Sequence, residues 1–325
     1  MKKFFVASCG NEKRLYACTM DKHGAMKTKY SIANNAFPTY LIRNRSYLFA
    51  SLKRDPNDIT SSGGIGIYKI NGFNLRFRKM ICYDSKVSYT HLVFEKRKKW
   101  IAAANYHSGS MEIFSMKNNA IFSYQAENES HIHYVGYLKN KKILYCLDLG
   151  KSEIVLFKSI NNTFRSICCY SFSPHYKPRH MAVSKDEKYF YILNETPTCI
   201  LVYHFDDLEF KLVQDIPCVP MCNTDSSQGA AIHFSPNQDF LLTSLRGHNS
   251  ISFFKRNGVS GELSFIENRS TLGLEPRDFS LYKDKYLIVG NQASNEVICF
   301  SVNYKTVTLN EINRIYVERP SCIIF

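Results

Sequence analysis

The sequence predicts an all-β fold, a seven-bladed β-propeller with four antiparallel strands per blade, in which the C-terminal strand completes the N-terminal blade. Three observations predict it. Apolar segments of about five to eight residues recur between turns rich in Gly, Asn, Asp, Ser and Pro, the pattern of short strands. No stretch has convincing helical periodicity. A unit of about 45 residues repeats through the whole chain, and that is the size of one four-stranded blade.

The clearest copy opens with Pro178-Arg179-His180-Met181-Ala182-Val183 and turns through Ser184 to Lys188. It continues as a strand from Tyr189 to Glu195, a turn at Thr196-Pro197-Thr198 and a strand from Cys199 to Phe205, with a fourth strand near Phe210 to Gln214. Opening strands recur near Pro38, Tyr89, His133, Pro178, Ala230, Pro276 and Pro320. The final segment, Pro320 to Phe325, is an opening strand with no blade behind it, whereas Phe4 to Cys9 and Leu15 to Met20 belong to a blade that lacks one. The two ends therefore pair, which closes the ring and removes exposed sheet edges. A closed ring makes residues 1–325 one domain.

Composition agrees with a packed β fold: 45% of the 325 residues are apolar and 14% aromatic, with 23 Phe and 21 Tyr against one Trp. Aromatic side chains favour strands. The start, Met1-Lys2-Lys3 followed by Phe4-Phe5-Val6-Ala7-Ser8-Cys9, imitates a lipoprotein signal. Its apolar stretch falls short of the ~7–15 residues such a signal requires and is cut by Gly10-Asn11-Glu12-Lys13, so it is expected to be a first strand. No run reaches the ~18 apolar residues of a membrane span. The expectation is a cytoplasmic protein with no membrane partner.

Eleven cysteines, an odd number, lie mostly inside apolar strand runs (Cys82, Cys146, Cys199, Cys299, Cys322), as free thiols do in a reducing compartment. Neither Cys168-Cys169 nor Cys218 with Cys222 has a second pair at zinc-site spacing. Lysines and arginines outnumber carboxylates 42 to 28, giving a net charge of +14. Such a field attracts anions of every class. Its densest clusters, Lys96-Arg97-Lys98-Lys99 and Lys139-Asn140-Lys141-Lys142, fall in predicted turns and read as solvated surface, so no nucleic-acid partner is expected. Ser62-Gly63-Gly64-Ile65-Gly66 is Gly-rich without a following helix and is expected to be a turn, not a phosphate loop. The sequons at Asn44, Asn161 and Asn268 carry no meaning in a cytoplasmic chain.

In a propeller the first strand of each blade lines the channel and begins on the face where the second strand ends. Residues at these two positions thus share one mouth. First-strand openings supply His91, His131, His133, Arg179, His180, His233 and Arg277. Second-strand ends supply Asn105, Tyr106, Asp148, Asn194, Glu195, Arg246, His248, Asn291 and Gln292. The opposite strand ends carry ordinary turn residues such as Ser235-Pro236-Asn237. Buried polar groups are costly unless paired or used, so the asymmetry favours a pocket at this mouth. His131 and His133 alternate on a strand and share a face, but no third ligand accompanies them, and no metal is expected. Arg179 with Glu195 is also compatible with a buried ion pair inside one blade.

With these residues placed, the chain resembles the bacterial seven-bladed propeller lactonase family, which includes propeller-type 6-phosphogluconolactonases and the fungal carboxymuconate cyclases. The resemblance rests on Ala104-Asn105-Tyr106, Ser130-His131-Ile132-His133, Asp148-Leu149-Gly150, Pro178-Arg179-His180 with Asn194-Glu195, Ala231-Ile232-His233, Arg246-Gly247-His248, Pro276-Arg277-Asp278-Phe279 and Asn291-Gln292. It covers nearly the whole chain. Lys177, Leu245 and the stretch from Lys53 to Ser62 depart from the family pattern. The resemblance implies a catalytic set of His133, Arg179, Glu195 and Arg277, with substrate-binding roles for His131, His180, Asn105, Tyr106, Asp148, His233, Arg246, His248, Asn291 and Gln292. It further implies a small anionic sugar lactone as substrate, hydrolysis without a metal or organic cofactor, and 6-phosphogluconolactone as the first candidate. Opening or closing another lactone, as in the cyclase branch, uses the same residues. A non-catalytic interaction propeller of the Trp-Asp type is the alternative of another class, and the lone Trp100 counts against it.

Overall fold

The computed structural model describes residues 1–81, 87–116, 120–160, 163–220 and 227–325; Cys82, Cys222 and Asn161 lie outside them. The described residues form strands, turns and connecting segments, with no helix long and apolar enough to cross a membrane.

The strands form seven four-stranded antiparallel sheets. The first blade contains β1 (Lys2–Ser8), β2 (Arg14–Met20) and β3 (Met26–Ala33). The second runs β4 (Phe37–Asn44), β5 (Tyr47–Lys53), β6 (Gly64–Asn71), β7 (Asn74–Ile81), and the third β8 (Tyr89–Glu95), β9 (Trp100–Asn105), β10 (Ser110–Ser115), β11 (Ala120–Gln125). The fourth is β12 (Ile132–Leu138), β13 (Ile143–Asp148), β14 (Glu153–Ile160), β15 (Thr163–Ser171), and the fifth β16 (Pro178–Val183), β17 (Tyr189–Asn194), β18 (Cys199–Asp206), β19 (Glu209–Pro217). The sixth is β20 (Gln228–Phe234), β21 (Phe240–Arg246), β22 (Ser250–Arg256), β23 (Leu263–Ser270), and the seventh β24 (Pro276–Tyr282), β25 (Tyr286–Asn291), β26 (Glu296–Asn303), β27 (Thr308–Tyr316). The last strand, β28 (Pro320–Ile324), lies beside β1 in the order β28-β1-β2-β3 and completes the first blade. The fold is a seven-bladed β-propeller closed by its C-terminal strand, as the repeat predicts.

One local expectation is corrected. Gly64 opens β6 and Gly66 lies within it, with Ser62 and Gly63 leading in, so the Gly-rich segment enters a strand rather than forming a turn. The reason is crowding. A Cβ on Gly63 would meet the Val87 carbonyl oxygen at 1.7 Å, and Gly64 has φ +147°, where a side chain is strained.

Packing divides the chain into two compact units, one of residues 1–19, 27–172 and 324–325, the other of residues 20–26 and 173–323. Within the first, Phe49, Ile65, Tyr89 and Phe114 fill the space between the second and third blades. Trp100, Leu144, Phe157 and Phe164 fill that between the third and fourth. Within the second, Tyr191, Leu193, Leu241 and Phe254 pack between the fifth and sixth blades, and Phe253, Phe279, Leu287 and Phe300 between the sixth and seventh. Because each inner strand is covered on both faces, strands such as β13 (ILYCLD) and β25 (YLIVGN) are buried throughout. Outer strands such as β11 (AIFSYQ) are largely exposed.

Register places the polar residues. Tyr89 pairs with Asn105, Ile132 with Asp148, Pro178 with Asn194, Gln228 with Arg246 and Pro276 with Asn291, so within each of these blades the opening of the first strand lies beside the end of the second. Each of these first strands also carries an irregularity at its start, which leaves Thr90, His133, Arg179, Ala230 and Arg277 out of register; β4 does the same at Thr39. A bulge leaves one residue unpaired and re-aims its side chain. Several of these side chains reach the next blade: Thr39 Oγ1 donates to the Tyr89 carbonyl at 3.0 Å, Thr90 Oγ1 to that of His133 at 3.1 Å and Arg179 NH1 to that of Ala230 at 2.5 Å.

Candidate active site

Three of the four residues assigned to catalysis, His133, Arg179 and Arg277, occupy bulge positions. Glu195 follows the last residue of β17, and its amide donates to the Lys177 carbonyl at 2.7 Å, which ties it beside the opening of β16.

In the second unit these residues form an ionic cluster. Arg179 is 3% exposed. Its Nε donates to Glu195 Oε2 at 3.1 Å, its NH1 to the Ala230 carbonyl, and NH1 lies 2.9 Å from His180 Nε2. Arg246 NH2 lies 2.9 Å from Glu195 Oε1, so each carboxylate oxygen faces a different guanidinium. This second contact is a charge pairing rather than an aligned hydrogen bond. Burial pushes the Arg179 pKa down, and the positive charges of Arg277 and Arg246 push it further, to about 9. It stays cationic at neutral pH. Burial acts to raise the Glu195 pKa, but Arg179, Arg246 and Arg277 together outweigh it and hold the carboxyl below its ordinary value. Three cations around one anion leave net positive charge, as an anion-binding site requires.

Beside this cluster His233 Nε2 lies 3.3 Å from Asp278 Oδ1, and its ring packs edge-on against Phe279 at 4.8 Å. Asp278 Oδ2 accepts the Ile323 amide at 2.8 Å. Asp278 was not among the residues expected at the site, although it follows Arg277 directly. The signal that could have found it is its place beside Arg277 in the Pro276-Arg277-Asp278-Phe279 segment. His248 Nδ1 lies 2.7 Å from Ser250 Oγ in its own turn, and Asn291 Nδ2 donates to the Thr271 carbonyl at 3.0 Å, in the segment between β23 and β24. The amide of Gln292 donates to the Glu275 carbonyl at 2.9 Å.

In the first unit the predicted residues form an aromatic cluster. Tyr106 and His131 stack with centroids 4.5 Å apart, Tyr106 meets His133 edge-on at 5.8 Å, and His131 Nδ1 lies 3.0 Å from the Tyr106 carbonyl oxygen. Asp148 is fully engaged: it accepts Ser130 Oγ and the amides of His131, Gly150 and Lys151, the three amides at 2.8, 2.9 and 3.1 Å. It shapes the turn that presents His131 and His133. Asn105 is buried at the end of β9. His91, also at a first-strand opening, lies between the tilted rings of Tyr40 and Tyr134, with centroids 4.0 Å from each.

Known proteins share this arrangement of blades. Among solved structures, a protein from Lactobacillus plantarum superposes at TM-score 0.91 and 21% identity, covering 100% of this chain and 99% of that one. The Pseudomonas aeruginosa periplasmic gluconolactonase PpgL superposes at TM-score 0.85 and 19% identity, covering 99% and 98%. At these identities the likeness shows the fold alone. Among curated sequences the chain is 27% identical to the 6-phosphogluconolactonase of Bacillus subtilis (strain 168), over 97% of this chain and 95% of the relative. It is also 27% identical to a 6-phosphogluconolactonase of Formosa agariphila, over 87% and 85%. The family description "Lactonase, 7-bladed beta-propeller" matches residues 3–325. The chain belongs to the seven-bladed β-propeller lactonase family.

Proposed function

We propose that this chain hydrolyses an anionic sugar lactone, 6-phosphogluconolactone first among the candidates, at the cluster around Arg179, Glu195, Arg246 and Arg277. The observation that carries the reading is the ionised Glu195 held between Arg179 and Arg246 at 3.1 and 2.9 Å, with Arg277 adding a third positive charge. Guanidinium forks match phosphate and carboxylate groups and stabilise the oxyanion of a tetrahedral intermediate. The names of the two curated relatives supply the substrate class.

Hydrolysis needs a base to take a proton from water as it attacks the lactone carbonyl. The oxyanion then collapses, the ring C–O bond breaks, and the leaving alkoxide takes up a proton, giving the hydroxy acid. A carboxylate held below its ordinary pKa is a weak base. Glu195 therefore serves to position Arg179 and Arg246, and His133 enters as the candidate base on the family resemblance alone.

The test is a hydrolysis assay on 6-phosphogluconolactone, unphosphorylated gluconolactone and a muconolactone, each corrected for spontaneous opening. The phosphorylated lactone is expected to have the largest kcat/KM. Equal turnover of both sugar lactones would remove the phosphate from the reading, and no catalysis of any lactone would overturn it.

A further inference from the structure

The charge of this protein is unevenly distributed. Residues 1–19 and 27–172 carry 26 lysines and arginines against 10 carboxylates, whereas residues 20–26 and 173–323 carry 16 against 18. A single anionic small molecule at a mouth does not call for an excess of this size across one half of the chain. Six of these 26 cations lie on outer strands, and five of the six fall on two of them. β3 carries Lys27 and Lys29, and β7 carries Arg76, Arg78 and Lys79, with no acid on either. Glu267 and Arg269 on β23 and Glu311 and Arg314 on β27 balance each other, β15 carries a single arginine, β19 is net acidic, and β11 carries no charge. Charged residues on edge strands block aggregation, but β11 shows that an outer strand here does without them. On β6 and β7, moreover, Lys69 stands directly opposite Arg76, a like-charge pair that costs stability where nothing neutralises it.

Between β3 and the β6–β7 hairpin lie two adjoining cavities of about 430 and 500 Å³. The first is lined by Tyr30, Lys69, Arg76 and Arg78 and the second by Leu52, Tyr68 and Met80; Ile32 and Phe77 line both. No carboxylate lines either among the described residues. Phe77 is 46% exposed. One groove thus joins a cationic end to an apolar end and runs beside the edge strand β7, whose outer backbone has no neighbour in its sheet.

We propose that this groove binds an acidic peptide segment with an apolar anchor residue, the carboxylates facing Lys69, Arg76 and Arg78 and the anchor lying against Ile32, Phe77 and Met80. An extended peptide beside an edge strand gains main-chain hydrogen bonds, while alternate side chains enter pockets. A nucleic-acid strand needs cations along its whole length, and half of this groove is apolar. A membrane surface meets protruding residues rather than a cleft.

The probe is a fluorescein-labelled peptide about twelve residues long, rich in Asp and Glu with a central Phe-Leu pair, followed by anisotropy at low salt. Saturable binding is expected, weakened about tenfold or more by the exposed double changes Arg76→Glu/Arg78→Glu and, less strongly, Arg76→Gln/Arg78→Gln. Phe77→Ala is expected to weaken it several-fold, and lactone hydrolysis should stay unchanged in all three. The proposal is overturned if the peptide does not bind saturably, or if the double variants bind it as the parent does. It is also overturned if Lys141→Glu/Lys142→Glu in the basic turn between β12 and β13 causes an equal loss, or if anionic phosphatidylglycerol vesicles or an oligothymidine strand bind while the peptide does not.

Discussion

Glu112 and Glu195 are both mostly buried carboxylates in the same fold, and their surroundings drive them in opposite directions. Glu112, on β10 in the first unit, meets hydroxyls: Ser110 Oγ donates to Oε1 at 2.6 Å, and the Tyr89 hydroxyl acts in the same sense without an aligned bond. Burial dominates there and pushes its pKa from 4.5 up to about 7. Glu195 is pushed the same way by burial, yet three arginines bring it below the ordinary value. The difference teaches that burial alone does not set the protonation state of a carboxyl group; the sign of the neighbouring charge does. It also separates a group that titrates near neutral pH in a packed interior from one held ionised where an anion is expected to bind.

The comparison breaks most visibly in catalysis. Glu195→Gln keeps the shape and removes the charge, and a fall in kcat of about 10²-fold or more is expected, with a similar fall for His133→Ala. The acid limb of the pH–rate profile separates the two roles. A limb that survives in Glu195→Gln and vanishes in His133→Ala assigns the base to the histidine, and the reverse returns it to Glu195.

Next in size is an effect on stability. Because the pKa of Glu112 is raised on folding, the folded chain binds more protons than the unfolded chain between pH 4.5 and about 7. Stability from this group therefore falls as pH rises through that window. Glu112→Gln should flatten that slope and raise stability above pH 7 by at most about 3 kcal/mol, read by urea denaturation across pH. Glu195 has the opposite sign. Its lowered pKa contributes stability above the unfolded value, which is lost as pH falls through the folded one, so Glu195→Gln should flatten the acid side instead.

A smaller change sharpens the role of the arginines. Arg277→Lys keeps a positive charge and loses the planar fork, and a loss of about tenfold in kcat/KM is expected, larger for a phosphorylated lactone than for an unphosphorylated one. Equal losses on both would place Arg277 at the oxyanion rather than at the phosphate. The smallest effect belongs to Lys98→Ala, in the turn before β9, where melting and turnover should stay within experimental error of the parent, about 0.5 kcal/mol.

Much of the site was legible because a propeller converts strand position into spatial position. Pro178 pairs with Asn194, so Arg179 and Glu195 meet within one blade, as their places at the start of a first strand and the end of a second imply. The bulges were not legible, since no residue type marks them: Thr90, His133, Arg179, Ala230 and Arg277 share the position and nothing in their chemistry. Arg246, expected to contact substrate, also faces Glu195, a pairing between blades that periodicity within a blade does not reach. Asp148, expected to contact substrate, also accepts the amides of His131, Gly150 and Lys151, which no residue type announces.

The sequence by itself determined the strands, the blade count and the closure of the ring by β28, because alternation, turn residues and a repeat of about 45 residues are local properties of the chain. Only the tertiary structure decided which polar groups are paired, which carboxyl group is held ionised and where the cationic groove lies. Those depend on distances between residues far apart in sequence, such as the 2.9 Å between Arg246 and Glu195, and on how much water the packing of neighbouring blades excludes.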